Sequence, residues 1–279
     1  LWDQAMYHDG RVESLDKTPG AGGSGPGGIR TPDSPYLMPD PNAGANLLEA
    51  QSRMPITSQV EMRGRTYAAH ESHRVVRARL CARLGDFGIA AGEIPGSEWP
   101  AAFAAVFGGG VESADGSGGT GLPGASTARA DSGASPAGTS RDSRAEALIS
   151  DEDIAAALAA YEASQVFVDT PWRAYVRGDD AALGAEATRG AVLFLRDVAD
   201  GGAGCAGCHG GDFFTDERFY VLAVPQVGPG KDDEPYPDRA DDADEDLGRF
   251  HATFRGEDRY AFRTPTLVNV EVTGPYGHD

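Results

Sequence analysis

Two of the three cysteines in the chain lie in one tetrad, and no other stretch constrains the fold as strongly. Cys205 and Cys208 are separated by two residues, and His209 follows directly in GGAGCAGCHGGDFF, residues 201–214. Two thiols and an imidazole at this spacing lie within about one helical turn of each other. Three such side chains packed this closely point to one bound group or one reaction.

The pattern Cys-x-x-Cys-His is compatible with several kinds of site. A structural zinc site needs about four ligands, and there is no second cysteine pair. A thioredoxin-like redox pair is expected beside a βαβ unit, which the sequence does not show. Covalent haem c needs two thiols for the vinyl groups and an adjacent His as the proximal iron ligand. We interpret Cys205, Cys208 and His209 as this site, with a chance tetrad on a surface loop as the alternative.

Hydrophobic periodicity predicts a mainly helical chain with few strands. Ser150, with Asp153 three residues later, forms a variant of the capping box that begins a helix. Cys81 lies on the side of Leu80 and Leu84 in another helical stretch, and we predict that it is a small buried hydrophobe. Further helices are predicted at residues 71–85, from Ser97 onward and at residues 179–198.

Composition limits the partners and the organisation of the chain. With 24 basic against 43 acidic residues, the net charge is -19, which argues against a nucleic-acid partner. No apolar run approaches the roughly 18 residues of a membrane span. Residues 19–28 and 108–144 are too rich in Gly, Pro and Ser to hold regular structure. We predict that residues 108–144 form a disordered linker between domains.

Other stretches carry a resemblance to a known family. Gly190 and Phe194, upstream of the tetrad, resemble the small and aromatic residues in the N-terminal helix of class I cytochromes c. More broadly, the chain resembles the bacterial di-haem cytochrome c peroxidase and MauG family. The stretches that carry this resemblance are HDGRVESL, LLEAQSRMPITSQVEMRG, DTPWRAYVRGDDAALGAEATRGAVLF, CAGCHGGDFFTDERFYVLAVPQVGPGK, DLGRF and DRYAFRTPTLVNVEVTGPYGHD.

The resemblance implies an α-helical fold built from class I cytochrome c-like domains, each with one haem. Residues 1–107 would be the remainder of the N-terminal, peroxidatic domain. Residues 145–279 would be the C-terminal, electron-transfer domain with one complete haem-attachment region. The chain would carry one haem c and the full protein two.

The sequence departs from the family pattern in three places. The family's first CxxCH precedes the DGR motif, which begins here at Asp9, so we expect the chain to start after that attachment site. The second axial ligand of the C-terminal haem, Met or Tyr, is expected beyond Asp279, since all four methionines precede the tetrad. His8 stands where many family members have Trp. Residues 1–279 alone are therefore expected to show only background peroxidase activity.

The resemblance also implies residues for acid–base chemistry at the peroxidatic haem. Glu61 matches the family's acid–base glutamate, and Gln51 matches a glutamine about ten residues earlier. Taken alone, Glu61 would be a solvated loop carboxylate and Gln51 a helix-surface residue. The flanking VEMRG match favours the functional interpretation.

A calcium site is implied at the end of the chain. Thr273 and Pro275 match positions whose backbone carbonyls face calcium in the family, and carbonyl oxygen suits this hard cation. His278 matches a histidine near the C-terminal haem. The acidic run at residues 241–248 does not fit an EF-hand, because Leu247 stands where glycine is needed, and it is predicted to be a solvated loop.

The resemblance implies that the full protein is a periplasmic oxidoreductase. It would reduce hydrogen peroxide to water with electrons from a small donor protein, either a cytochrome c or a cupredoxin, and family members are often homodimers. A MauG-like oxidase that modifies a protein substrate is the first alternative. The second is a mono-haem electron-transfer module without catalytic activity.

Overall fold

The computed structural model describes residues 3–18, 20–63, 67, 71–108, 149–223, 225 and 245–272. The chain divides into two compact units. One comprises Leu1–His73 together with Ala155–Asp279, and the other comprises Arg74–Ile154. The described residues are mainly helical with little strand, which confirms the predicted fold class at this level. The assignment of two cytochrome c-like domains stays a prediction.

Helices make up most of the regular structure. The α-helices are α1 Leu47–Ser52, α2 His73–Gly85, α3 Trp99–Phe107, α4 Asp151–Ser164, α5 Pro171–Val176, α6 Ala185–Leu195 and α7 Phe250–Thr253. One π-helix spans Gln59–Arg63, and 3₁₀ turns span Gly88–Ala90, Val198–Asp200, Cys205–Gly207, Gly256–Asp258 and Val270–Val272. No helix in the described part of the chain combines the length and apolarity needed to cross a lipid bilayer.

Two small antiparallel sheets complete the architecture. The first has the order β1 Ala5–Met6, β2 Val12–Ser14 and β3 Ile29–Arg30, with Glu13 opposite both Ala5 and Arg30. The second pairs β4 Phe219–Tyr220 with β5 Phe262–Arg263. Between β2 and β3, residues 20–28 form consecutive turns, as their glycine content predicts.

The predicted helices are present, but their bounds need correction: α2 begins at His73 instead of residue 71, and α3 begins at Trp99 instead of Ser97. The Ser150 hydroxyl accepts a hydrogen bond from the backbone N–H of Asp153, 3.1 Å away, so the predicted cap begins α4. The helix expected at residues 179–198 is shorter, because α6 begins at Ala185 and ends at Leu195. Asp179 instead accepts a hydrogen bond from the N–H of Ala181 and forms a turn, a conformation that competes with helix in short polar residues.

The larger unit has an apolar core under its three-stranded sheet. Helix α1 packs on β2 there. The buried residues of this core are Val12, Ile29, Ala43, Leu47, Ala50 and Met54, with Met6 and Tyr7 packed against them. The side chain of Asn46 caps α1 by accepting hydrogen bonds from the N–H groups of Leu48 and Glu49. The cap and the core together fix the helix that carries Gln51.

The smaller unit has its own core, which confirms the prediction for Cys81. Its buried residues are Cys81, Ala82, Phe87, Ala90, Phe103, Ile149 and Ile154, with Leu80 and Leu84 packed against them. Burial, reinforced by the Asp151 carboxylate, raises the pKa of the Cys81 thiol to about 12. The thiol therefore remains protonated near neutral pH and has little nucleophilic character.

A buried cluster of charges joins the two ends of the chain within the larger unit. The Glu13 carboxylate accepts hydrogen bonds from Arg30 at 3.0 Å and from Arg249 at 2.5 Å. Both guanidinium groups also donate to the carbonyl oxygen of Gly10, each over 2.8 Å. Burial alone would raise the pKa of Glu13, but the two arginines outweigh it and hold the pKa below its usual range. Segment 9–13 is thereby anchored to α7.

Candidate functional site

The cysteine tetrad forms a tight turn. The backbone N–H groups of Cys208 and His209 both donate to the carbonyl oxygen of Cys205, over 3.2 and 2.9 Å. Gly204 precedes the turn with φ +71°, and a Cβ there would lie 2.9 Å from Cγ2 of Val198. Glycine is required at this position because a side chain would be strained in the left-handed region and would crowd Val198.

Helix α6 holds this turn in place. The N–H of Ala203 donates to the carbonyl of Leu193 over 2.8 Å, and the N–H of Gly204 donates to the carbonyl of Arg196 over 3.1 Å. These bonds satisfy carbonyl groups that the end of a helix leaves without partners. The GG pair after α6 is what lets the chain fold back, since a Cβ at Gly202 would lie 1.9 Å from the Arg196 carbonyl oxygen.

His209 is buried with a defined ring orientation. Its Nδ1 lies 3.1 Å from the carbonyl oxygen of Phe214. A carbonyl only accepts hydrogen bonds, so Nδ1 is the donor and the neutral ring carries its lone pair on Nε2. A hydrogen bond of this kind fixes the tautomer and direction of a metal-binding histidine.

A cavity of about 600 Å³ lies beside this histidine. Its volume falls within the roughly 300–1,000 Å³ of cofactor and ligand sites. The aromatic rings of Trp172 and Phe194 both pack on Phe214, with centroids 5.8 and 5.9 Å apart. Most of the wall is apolar, including Val166, Val168, Trp172, Leu195, Phe213 and Val268.

These features fit a large planar apolar group with a metal at its centre. Helices α5 and α6 bury none of their residues. Even their apolar side chains are open to solvent, since Val176 and Leu195 are more than half exposed. An apolar group in the cavity would cover such side chains, since wide exposed apolar patches mark binding surfaces. Cys205 and Cys208 are free thiols of intermediate exposure. Haem c requires a histidine for its iron and two thiols for its vinyl groups. The apolar wall suits the surface of its ring.

The residues predicted for acid–base chemistry lie against one segment of the chain, Tyr7–Arg11. The Tyr7 hydroxyl donates to the backbone carbonyl of Gln51 over 2.9 Å. Arg11 Nη2 donates to Oε1 of Glu61 over 3.0 Å. Glu61 is exposed on the π-helix, whereas the side-chain Oε1 of Gln51 is enclosed and has no hydrogen-bond partner among the described residues.

Two residues beside Glu61 and Gln51, namely Tyr7 and Arg11, were not predicted from the sequence. The Arg11 guanidinium lies over the Tyr7 ring, 3.9 Å from its centroid; Arg11 is buried and Tyr7 is half-buried. Burial raises the pKa of Tyr7 despite the opposing effect of Arg11. The phenol is therefore neutral and acts as a hydrogen-bond donor. The DGR motif marked Arg11 in the sequence, but nothing local indicated that it would reach Glu61.

His8 faces the C-terminal part of the chain. Its Nε2 lies 2.7 Å from Oδ2 of Asp246, and its ring stacks on Phe262 with centroids 5.6 Å apart. The position that departs from the family pattern is thus a histidine paired with a carboxylate. Asp246 belongs to the acidic run that was predicted to be a solvated loop, but the neighbouring Leu247 is buried.

The predicted calcium site lies outside the described residues. This applies to Thr273 and Pro275, and also to His278. The linker predicted at residues 108–144 lies outside them as well, except for Gly108. Within the described ranges, no group of three or more His, Cys, Asp or Glu side chains is arranged to hold a metal ion.

The chain is similar to several curated bacterial proteins, and no family model matches it. It is 36% identical over 149 residues to cytochrome-c peroxidase IdrP1 of Denitromonas iodatirespirans, which is 44% of the chain and 36% of that protein. It is 35% identical over 128 residues to methylamine utilization protein MauG of Methylorubrum extorquens, 45% of the chain and 30% of the relative. Cytochrome c551 peroxidase of Pseudomonas aeruginosa is 32% identical over 130 residues, 47% of the chain and 33% of the relative.

The matched region spans about a third of each relative's length. Peroxidases and MauG proteins recur among the matches from other bacteria, including Escherichia coli and Methylophilus methylotrophus. The tetrad turn, the apolar cavity and the motifs of the sequence point to the same group. The chain is therefore similar, over a little less than half of its length, to bacterial cytochrome c peroxidases and MauG proteins.

Proposed function

We propose that the chain is part of a cytochrome-c-peroxidase-type oxidoreductase. Hydrogen peroxide takes up two electrons and two protons and yields two molecules of water. The electrons come from a small donor protein, a cytochrome c or a cupredoxin. The observation that carries the proposal is the buried His209 behind a Cys-x-x-Cys turn at an apolar cavity, in a relative of named cytochrome c peroxidases.

The first role of the chain is to hold haem c through Cys205, Cys208 and His209. When bound, haem supplies reversible one-electron chemistry at iron. The Phe214 carbonyl orients the imidazole, and the wall near Trp172 and Phe213 excludes water from the ring. We propose one haem in this chain and two in the full protein.

The second role is proton transfer at the peroxidatic centre. We propose that the Glu61 carboxylate moves a proton from the inner to the outer oxygen of peroxide, as general acid–base chemistry requires, and that the Gln51 amide positions the peroxide. The contacts of Arg11 with Glu61 and of Tyr7 with Gln51 support this role, because they bring the two residues to one segment.

A MauG-like oxidase is the second candidate function. It is favoured by the similarity to two MauG proteins, at 35% and 29% identity. This enzyme would use the same haem-binding and acid–base residues but would oxidise a protein substrate. Peroxide turnover with a small donor protein, compared with oxidation of a protein substrate, separates the two functions.

We also propose the domain organisation, a calcium site, the localisation and the assembly of the protein. Residues 1–107 would belong to the peroxidatic domain and residues 145–279 to the electron-transfer domain. The carbonyls of Thr273 and Pro275 would bind calcium, and the protein would act in the periplasm, with a homodimer as its assembly. The net charge of -19 supports a partner other than nucleic acid.

The test uses the protein expressed from its complete reading frame together with haem c maturation machinery. Intact mass should show one covalent haem for each Cys-x-x-Cys-His motif, and C205A/C208A should lose the haem of this motif. Donor-dependent peroxide turnover should fall steeply, by about 10²–10⁴-fold, in E61Q at unchanged haem content. Full turnover in E61Q would remove Glu61 from the reaction. An apo-protein that retains zinc would overturn the haem site.

A further inference from the structure

The buried Arg11 side chain forms an ion pair with the Glu61 carboxylate. We propose that Arg11 is a positioning residue that fixes the direction of the Glu61 carboxylate, an inference that rests on the proposed peroxidase function. The Arg11 side chain is 10% exposed and that of Glu61 is 31% exposed. The ion pair therefore links a buried anchor to a carboxylate that is open to small molecules.

The anchor is itself immobilised. The Arg11 guanidinium lies 3.9 Å from the centroid of the Tyr7 ring, and Oδ2 of the buried Asp9 lies 3.7 Å from Nη1 of Arg11. Oδ1 of Asp9 accepts a hydrogen bond from the backbone N–H of Arg11 over 3.0 Å. The Tyr7 ring thus restrains the face of the guanidinium, one carboxylate oxygen of Asp9 restrains its edge, and the other oxygen restrains the Arg11 backbone. The Arg11 side chain therefore has little freedom to follow a moving partner.

The backbone beneath the anchor is held equally firmly. Arg30 and Arg249 both donate to the carbonyl of Gly10. Gly10 has φ +67°, and a Cβ there would lie 2.4 Å from both Nη1 of Arg249 and Cζ of Phe219. Segment 9–13 is therefore fixed by contacts that do not involve Glu61. Arg11 imposes a direction on Glu61, rather than the reverse.

The two carboxylate oxygens of Glu61 differ in their hydrogen bonds. Arg11 engages Oε1, and within the described ranges no protein group is bonded to Oε2. One oxygen thus serves for orientation and the other is left to exchange a proton. A misplacement of about 1 Å in a reacting group can cost about 10²-fold in rate, so we expect loss of Arg11 to affect kcat more than KM.

The experiment compares R11Q, R11K, E61Q and R11Q/E61Q in the haem-loaded protein from the complete reading frame. R11Q should lower kcat about 10²-fold with a smaller change in KM, and R11K should retain part of the rate. The double variant should be no slower than E61Q, because Arg11 acts only through Glu61. Crystal structures should show the Glu61 carboxylate displaced in R11Q and closer to its original place in R11K. R79Q is the control, since Arg79 lies in the smaller unit and pairs with Glu93 instead of Glu61.

Each outcome separates this inference from the proposed function. An inactive E61Q together with an unchanged R11Q would overturn the role of Arg11 and leave the peroxidase function standing. A loss in R11Q that adds to the loss in E61Q would show that Arg11 acts through the fold, which also overturns the inference. Full activity of E61Q would overturn the acid–base assignment itself. If R11Q does not fold, R11M takes its place, because methionine keeps the apolar stem but cannot pair with a carboxylate: undisturbed Glu61 geometry and full kcat in R11M refute the proposal.

Discussion

Arg249 and Glu13 are 236 residues apart in the chain, yet Nη2 of Arg249 lies 2.5 Å from Oε2 of Glu13 in a buried cluster. Arg30 pairs with the other carboxylate oxygen of Glu13, and Phe219 stacks against Arg249. The β-sheet near the start of the chain and helix α7 near its end are thus joined by charges instead of by an apolar seam. The segment that carries Tyr7 and Arg11 owes its position to this cluster.

Removing one partner from this cluster should be strongly destabilising. We expect R249M to lower the free energy of unfolding by about 3–5 kcal/mol, because it leaves the Glu13 carboxylate buried without its closest cation. Denaturant unfolding of the haem-loaded protein measures this loss. The control D169N removes the partner of Arg173 in an exposed pair and should leave the midpoint unchanged. A loss in R249M no larger than in the control would contradict the prediction.

The same cluster predicts a dependence of stability on pH. The arginines hold the pKa of Glu13 below its usual range, so its contribution is fully present above the unfolded pKa of about 4.3 and is lost as the pH falls toward the folded value. The stability difference between wild type and E13Q should therefore be constant near pH 7 and shrink below about pH 4.3. Unfolding free energies measured from pH 7 to pH 3 test this, and a difference that grows at low pH would contradict it.

Gly204 should be necessary for the turn that we propose attaches haem. Its positive φ and the approach of Val198 predict that G204A costs about 1–3 kcal/mol in local strain and lowers the yield of haem-loaded protein. Gly207 lies between the two cysteines, and a Cβ there would meet nothing within 4 Å. G207A is therefore the matched control and should load haem normally. Intact mass and absorbance per protein measure both, and equal loading of the two variants would refute the argument.

The three cysteines should differ in reactivity. In the folded apo-protein, the buried Cys81, whose pKa is raised to about 12, should resist alkylation near pH 8, whereas Cys205 and Cys208 should react. Unfolding should expose all three thiols. Peptide mass spectrometry after alkylation identifies the modified sites, and C81A is the control, with the same number of thiols modified before and after unfolding. Rapid alkylation of Cys81 in the folded protein would show that the smaller unit is not packed as described.

The amino-acid sequence determined the features that depend on neighbouring residues. Spacing alone predicted that Cys205, Cys208 and His209 form one site, because five consecutive residues stay close together whatever the rest of the chain does. The cap at Ser150 and the apolar side of the helix around Cys81 were predictable for the same reason, since hydrogen bonds and periodicity within one helix are local. The start of α6 was misplaced because the competing turn at Asp179 is also local, and its signal was overlooked.

Only the tertiary structure decided which distant residues meet. Nothing near Arg11 in the sequence indicates Glu61 as its partner, and nothing near Glu13 indicates Arg249. An arginine in isolation is compatible with any carboxylate within reach, and the choice is made when packing removes the guanidinium from water, because a buried charge must then find a partner. Tyr7 likewise meets Gln51 because β1, β2 and α1 share one apolar core. The tetrad could thus be identified from the chain, whereas the geometry around Glu61 required the fold.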